Sequence, residues 1–150
     1  MRTQRGFNLI ELLVVLTIAG VMLGLGVPAF REFMATQRVR NTAFDFAATL
    51  LLARSEAIKR NTAVTIDQAG GGWDGGWTVN VGGTTLSSKE AAANVTIVPV
   101  PDTTTSIAYQ GNGRVPSTLQ FQFGATNTTA VRCVTISTSG VPNTKTASCS

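Results

Sequence analysis

Between Glu11 and Arg31 the chain carries no charge. Residues 12–30 are mostly apolar, and a short basic leader, Arg2-Thr3-Gln4-Arg5-Gly6, precedes them. As a helix at ~1.5 Å per residue, residues 7–30 would reach about 36 Å, enough for a hydrocarbon core of ~30 Å. A secretory signal has a shorter apolar stretch, roughly 7–15 residues, followed by a small-residue cleavage site. A buried helix of a soluble domain rarely stays apolar on all faces for this length. An ordinary single-pass anchor fits the length but leaves Glu11 without a reason. A charged side chain at the centre of a membrane helix costs about 2.5–3.5 kcal/mol on insertion scales, so a carboxylate in such a segment usually has a partner and a task.

The chemistry of that carboxylate narrows the task. In an apolar medium a lone carboxyl favours its neutral form. A neighbouring ammonium favours the carboxylate and makes a charge-assisted hydrogen bond. Satisfying both charges allows few axial offsets between two chains, so the pair sets register. Removing one partner of a buried pair costs ~3–5 kcal/mol. The competing reading is a glutamate that snorkels to the interface with no partner.

Gly6-Phe7-Asn8-Leu9-Ile10-Glu11 resembles the class III signal of type IV pilins and pseudopilins, commonly Gly-Phe-Thr-Leu-Ile-Glu, with Asn8 in place of Thr. The resemblance implies that a prepilin peptidase cuts between Gly6 and Phe7 and methylates the new amine of Phe7. It implies that the apolar run stays on the mature protein as membrane anchor and later as filament core. Glu11 would be the fifth mature residue, the position with which the family attracts a neighbour's N-terminal amine.

Charge and cysteine usage fit an exported domain behind an anchor. The formal net charge is +4, and without Arg2 and Arg5 it falls to +2. That weak balance does not by itself imply nucleic acid. The two leader arginines favour a cytoplasmic N-terminus, which puts the rest of the chain in an oxidising compartment. There Cys133 and Cys149 read as a disulfide, closing a loop that stabilises by about 3 kcal/mol in the chain-entropy model; a pair of free thiols is the alternative. There is no histidine, and two cysteines so spaced lack further soft ligands for a metal.

Gly20, Gly24 and Pro28 interrupt the apolar run. Gly20 and Gly24 form a small-xxx-small pair that permits close helix approach in lipid. Each Gly weakens a helix by roughly 1 kcal/mol relative to Ala and an interior Pro by about 3. The stretch 20–28 is therefore where the helix is expected to bend or locally melt, as the family does in filaments; simple tolerance in a membrane helix is the other reading. Beyond Phe30, Val39, Ala43, Phe46, Leu50, Ala53 and Ala57 recur at helical spacing as one apolar stripe, and Asn61-Thr62 marks the end.

From Ala63 the composition turns to Thr, Val, Gly, Asn and Ser. Residues 64–67, 77–81, 95–98, 119–123 and 131–137 alternate as strands, with turns expected at 70–76 and at Gly82-Gly83, which indicates one antiparallel sheet or two. The Gly-rich 70–76 lacks a Gly-Lys-Ser/Thr ending and precedes a strand, so it is read as a hairpin turn and not a phosphate loop. Asn94-Val95-Thr96 and Asn127-Thr128-Thr129 match a glycosylation triplet that is common by chance, and carry no argument.

Leu51-Leu52-Ala53-Arg54-Ser55-Glu56-Ala57 is similar to the helix end of the GspH/FimT group, and Gly72-Trp73, Gly76-Trp77, Gly113-Arg114-Val115 and the two late cysteines are similar to it as well. The resemblance implies a type IV pilin-like α+β fold. Its parts would be a leader at 1–6, a transmembrane and filament-core helix at 7–30, an amphipathic continuation at 31–61 and a β-rich head at 62–150. It implies a minor pilin placed near a filament tip and helping to start assembly, or a minor pseudopilin of type II secretion. The partners would be other major and minor pilins or pseudopilins, the prepilin peptidase and the inner membrane, with the head outside the cytoplasm and later in the filament. Some members of the group bind DNA during natural transformation through a late Gly-Arg-x-Arg motif, so a DNA-binding minor pilin is a further alternative that the resemblance implies. Here the corresponding stretch is Ser139-Gly140-Val141-Pro142, without either arginine. Arg114, Arg132 and Lys145 lie in a tail with no acidic residue after Asp102, and three such charges would give a weak, salt-sensitive attraction for double-stranded DNA. No aromatic–basic interleaving for base stacking is present. With no histidine and eight scattered acidic residues, no general-base or nucleophile set emerges; the chain is read as a non-enzyme without cofactor or metal.

Overall fold

A helix that begins apolar on every face and becomes one-sided serves two environments, and α1 (Leu9–Arg60) does so without interruption. The computed structural model describes residues 8–90 and 93–150. Asn8 is the N-cap of α1; the expected start at Phe7 lies outside the described residues. Every residue from 9 to 34 is exposed, whereas Ala35, Val39, Thr42, Ala43, Phe46, Leu50, Ala53 and Ala57 are buried. The whole apolar stripe expected from its spacing therefore faces the head. α1 stops because Asn61 adopts a left-handed conformation (φ 49°), and the Asn61 and Thr62 amides bond back to Ile58 and Ala57, a glycine-like cap that asparagine tolerates.

The head holds β1 (Val64–Ala69), β2 (Gly72–Val81), β3 (Thr84–Glu90), β4 (Thr96–Val100), β5 (Ser106–Tyr109), β6 (Leu119–Gly124), β7 (Arg132–Ile136) and β8 (Pro142–Lys145). They form two antiparallel four-stranded sheets, ordered β3-β2-β1-β5 and β4-β6-β7-β8. The glycine-rich stretch is shorter as a turn than expected. Only Gly70 and Gly71 turn, both at positive φ, and β2 already begins at Gly72. Two such residues suffice for a tight hairpin whose twist matches its strands. Gly82-Gly83 repeats the device between β2 and β3.

Phe46 of α1 joins the two sheets. Its ring meets Trp73 and Trp77 of β2 at 5.6 and 5.1 Å and Phe121 and Phe123 of β6 at 4.9 and 5.5 Å. The two contacts with tryptophan are edge-on, a geometry that aromatic quadrupoles favour. Both indoles also satisfy their N–H: Trp73 donates to the Thr104 carbonyl at 2.6 Å and Trp77 to the Thr49 hydroxyl at 3.1 Å. Burial of such large side chains is the main driving force for closing the head.

Candidate assembly site

The functional residues expected from the sequence fall into three groups, at the start of α1, along its exposed half and late in the head. Gly6 and Phe7, the expected cleavage and methylation positions, lie outside the described residues. Glu11 occupies the first turn of α1, exposed, with its amide bonded to the Asn8 carbonyl. Among the described residues no cation lies within ion-pair distance of it; the ion pairs there are Lys59–Glu56, Arg60–Glu56 and Lys89–Asp45. A carboxylate in the first turn sits favourably on the positive end of the helix dipole, and here it is also open to a second chain.

The run that follows Glu11 is exposed in bulk: Leu12, Leu16, Val21, Leu23 and Leu25 each show more than half of their surface. Thr17 satisfies its hydroxyl by donating back to the Leu13 and Val14 carbonyls, so the exposed side chain needs no partner in an apolar surrounding. The helix is continuous through Gly20, Gly24 and Pro28, so the local melting expected there is absent from the isolated chain. Proline deprives the Gly24 carbonyl of its helical donor, but no atom beyond the helix backbone lies within 4 Å of a side chain placed at Gly20, Gly24 or Gly26. Without a neighbour to compete for its carbonyls, the helix keeps its remaining bonds.

Late in the head, Cys133 and Cys149 are bonded, with Cα atoms 5.2 Å apart. The bridge lies on the outer side of the second sheet. The Cys149 amide donates to the Gln122 side chain at 3.2 Å, and the Gln120 amide reaches the Ser150 carbonyl at 3.3 Å. The final residues are thereby strapped across β6.

The strand register does not gather the three cations considered for DNA on one face of the sheet. Arg132 opens β7 in the inward register of Val134 and Ile136, and its guanidinium bonds the Thr146 hydroxyl. Lys145 pairs with Cys133, in the alternate register, so it belongs to the other face. Arg114 lies in the β5–β6 loop beside Gly113, which packs against Gly140 at the opposite end of β7. Proximity in sequence fails here because side chains alternate across a strand.

The structure gives one residue of the α1 end a task that its sequence pattern does not show. Arg54, half-buried between Ala53 and Ala57, donates from Nε to the Gly113 carbonyl at 3.1 Å. It fixes the β5–β6 loop to the end of α1. A long cation interrupting an otherwise buried small-residue stripe was the available signal. Tyr109 completes the cluster by donating to the Gly140 carbonyl. Burial pushes its phenol up to about 12, with the nearby Arg54 charge opposing the rise.

Comparison with known proteins places these features. The first 27 residues match the prokaryotic N-terminal methylation motif. Two fimbrial proteins of Pseudomonas aeruginosa are 28% identical over 65 residues, 43% of this chain and 42% of theirs, so the match spans less than half of their length. Crystal structures of the type IV minor pilin FimU from Pseudomonas aeruginosa superpose with TM-scores of 0.66 and 0.63 in two crystal forms at 22% identity. They cover 75% and 71% of this chain and 92% and 91% of FimU. At that identity the likeness establishes the shared pilin fold. The sequence pattern described as Type II transport protein GspH matches residues 42–140, which run from the buried half of α1 to the β7–β8 turn and make up well over half of the chain. On that match, the chain belongs to the GspH family of pilin-like proteins.

Proposed function

We propose that this chain is a structural subunit, a minor pilin anchored in the inner membrane by residues 7–30 and drawn from there into a filament. The observation that carries the reading is the division of α1. Its first half is apolar and wholly exposed behind a lone Glu11, while its second half closes the core of the head. An exposed apolar area of this size marks a membrane or protein interface. Glu11 is the residue that receives the N-terminal amine of a neighbouring subunit and sets the axial register. The head docks on other minor pilins near the filament tip and helps assembly begin. The stretch around Gly20, Gly24 and Pro28 loses its helical bonds only when neighbours pack against it.

Glu11→Ala tests the pairing. Processing is expected to remain normal, read as the mass of the mature chain, while the amount of assembled filament falls. Unchanged filament assembly would overturn the role of Glu11. The description of the matching family as a type II transport protein favours a second reading, a minor pseudopilin of a secretion system. Deletion of the chain separates the two: loss of surface filaments and twitching supports the pilus, and loss of secreted proteins with intact filaments supports the secretion machine.

A further inference from the structure

We propose that the junction between the exposed and buried halves of α1 holds a binding site for the headgroup of an anionic phospholipid in the outer leaflet of the inner membrane. The proposal rests on the anchor reading above. At ~1.5 Å per residue, residues 9–30 span about 32 Å, close to the hydrocarbon thickness. Phe30 then marks the outer edge of the acyl region, Arg31 stands at the phosphate level, and Arg38 lies about 10 Å further out.

A cleft of about 260 Å³ lies at that level, between α1 and the base of the head. Phe30 and Met34 form its apolar side, and Arg31 and Arg38, seven residues apart on one helix face, supply two guanidinium groups. On the head side Asn94, Thr126 and Asn127 present amide and hydroxyl groups. The rim is built rather than loose. The Thr36 and Thr128 hydroxyls meet at 2.8 Å, and the Ala130 amide donates to the Thr128 hydroxyl at 3.1 Å, fixing the β6–β7 loop to α1.

Charge selects the occupant. Among the described residues neither Arg31 nor Arg38 is in an ion pair; Glu32 follows Arg31 on α1 but does not line the cleft, and Asp45, which shares a second hollow with Arg38, is held by Lys89 at 2.7 Å. Planar guanidinium groups match phosphate oxygens in geometry as well as charge. The amides and the threonine hydroxyl suit a headgroup that carries hydroxyls of its own, and the apolar side continues down the exposed helix as a track for an acyl chain. A phosphatidylglycerol headgroup satisfies all three features.

The test uses the full-length chain in nanodiscs of equal phosphatidylglycerol and phosphatidylcholine, with native mass spectrometry counting the lipids that leave the disc with the protein. The wild-type chain is expected to retain phosphatidylglycerol preferentially. Arg31→Gln with Arg38→Gln is expected to reduce that preference by about fivefold per arginine. Arg31→Lys with Arg38→Lys should keep most of it, and Arg114→Gln should leave it unchanged. Arg2 and Arg5 are common to every variant and cancel in the comparison. A chain that enters the disc but shows no preference, or a double glutamine variant indistinguishable from wild type, overturns the lipid site and leaves the anchor standing. A chain that does not enter the disc overturns both.

Discussion

Tyr109 and Gly140 are joined by a buried hydrogen bond, the phenol donating to the carbonyl at 3.1 Å across 31 residues of sequence. The bond ties β5 to the β7–β8 turn, and Gly140 takes part with more than its oxygen. Its φ is +80°, and a Cβ placed there would overlap the Gly113 carbonyl oxygen, which already accepts from Arg54. Gly140→Ala therefore meets both backbone strain and a backbone clash. It is expected to lower stability by roughly 2–3 kcal/mol, measured by urea unfolding of the full chain in detergent.

The same tyrosine sets an alkaline limit. Burial raises its phenol from 10.0 to about 12, so the folded state holds a proton that the unfolded chain releases earlier. The stabilisation is complete below pH 10 and is lost as pH rises toward 12. Thermal unfolding followed from pH 8 to 12 should show this fall in the wild type. In Tyr109→Phe the fall should be reduced, with a lower stability throughout because the bond to Gly140 is gone.

Phe46 and Phe44 provide a matched pair. Phe46 touches four aromatic rings and is fully buried, whereas Phe44 is half exposed and carries only the Arg40 guanidinium 5.5 Å from its ring centre. Phe46→Ala is expected to cost about 3–5 kcal/mol. Phe44→Ala should stay within about 0.5 kcal/mol, as surface changes do. Denaturant midpoints of the two variants check the contrast.

Breaking the bridge with Cys133→Ser and Cys149→Ser should lower stability by about 3 kcal/mol, the value for closing a loop of roughly 15 residues. It should also release the last residues from Gln120 and Gln122. Limited proteolysis followed by mass spectrometry should show early C-terminal trimming in the double variant and protection in the wild type.

What the sequence shows of this fold depends on how strongly a segment is patterned. The stripe from Val39 to Ala57 is legible because a helix packed on one side must place apolar residues every three or four positions. The strands at 64–67 and 119–123 are legible because their faces alternate. β3 escapes notice because it is a polar edge with no buried residue, and β5 and β8 because each has only four residues. The Gly-rich 70–76 misleads in the opposite direction, since glycine count says nothing about which residues need positive φ. The lone Glu11 stands out ahead of a charge-free run, and within the described residues it is exposed with no cation at ion-pair distance. Arg114, Arg132 and Lys145 are close along the sequence, but Arg132 and Lys145 alternate across the sheet and Arg114 lies in the β5–β6 loop.

The unbroken course of α1 has a mechanical consequence. One continuous rod carries the exposed apolar half and also forms a wall of the head, with Phe46 wedged between the sheets. Tension applied along a fibre would reach the head as a shearing load on this packed wall. The aromatic cluster around Phe46 is where that load would pass from the helix into the two sheets.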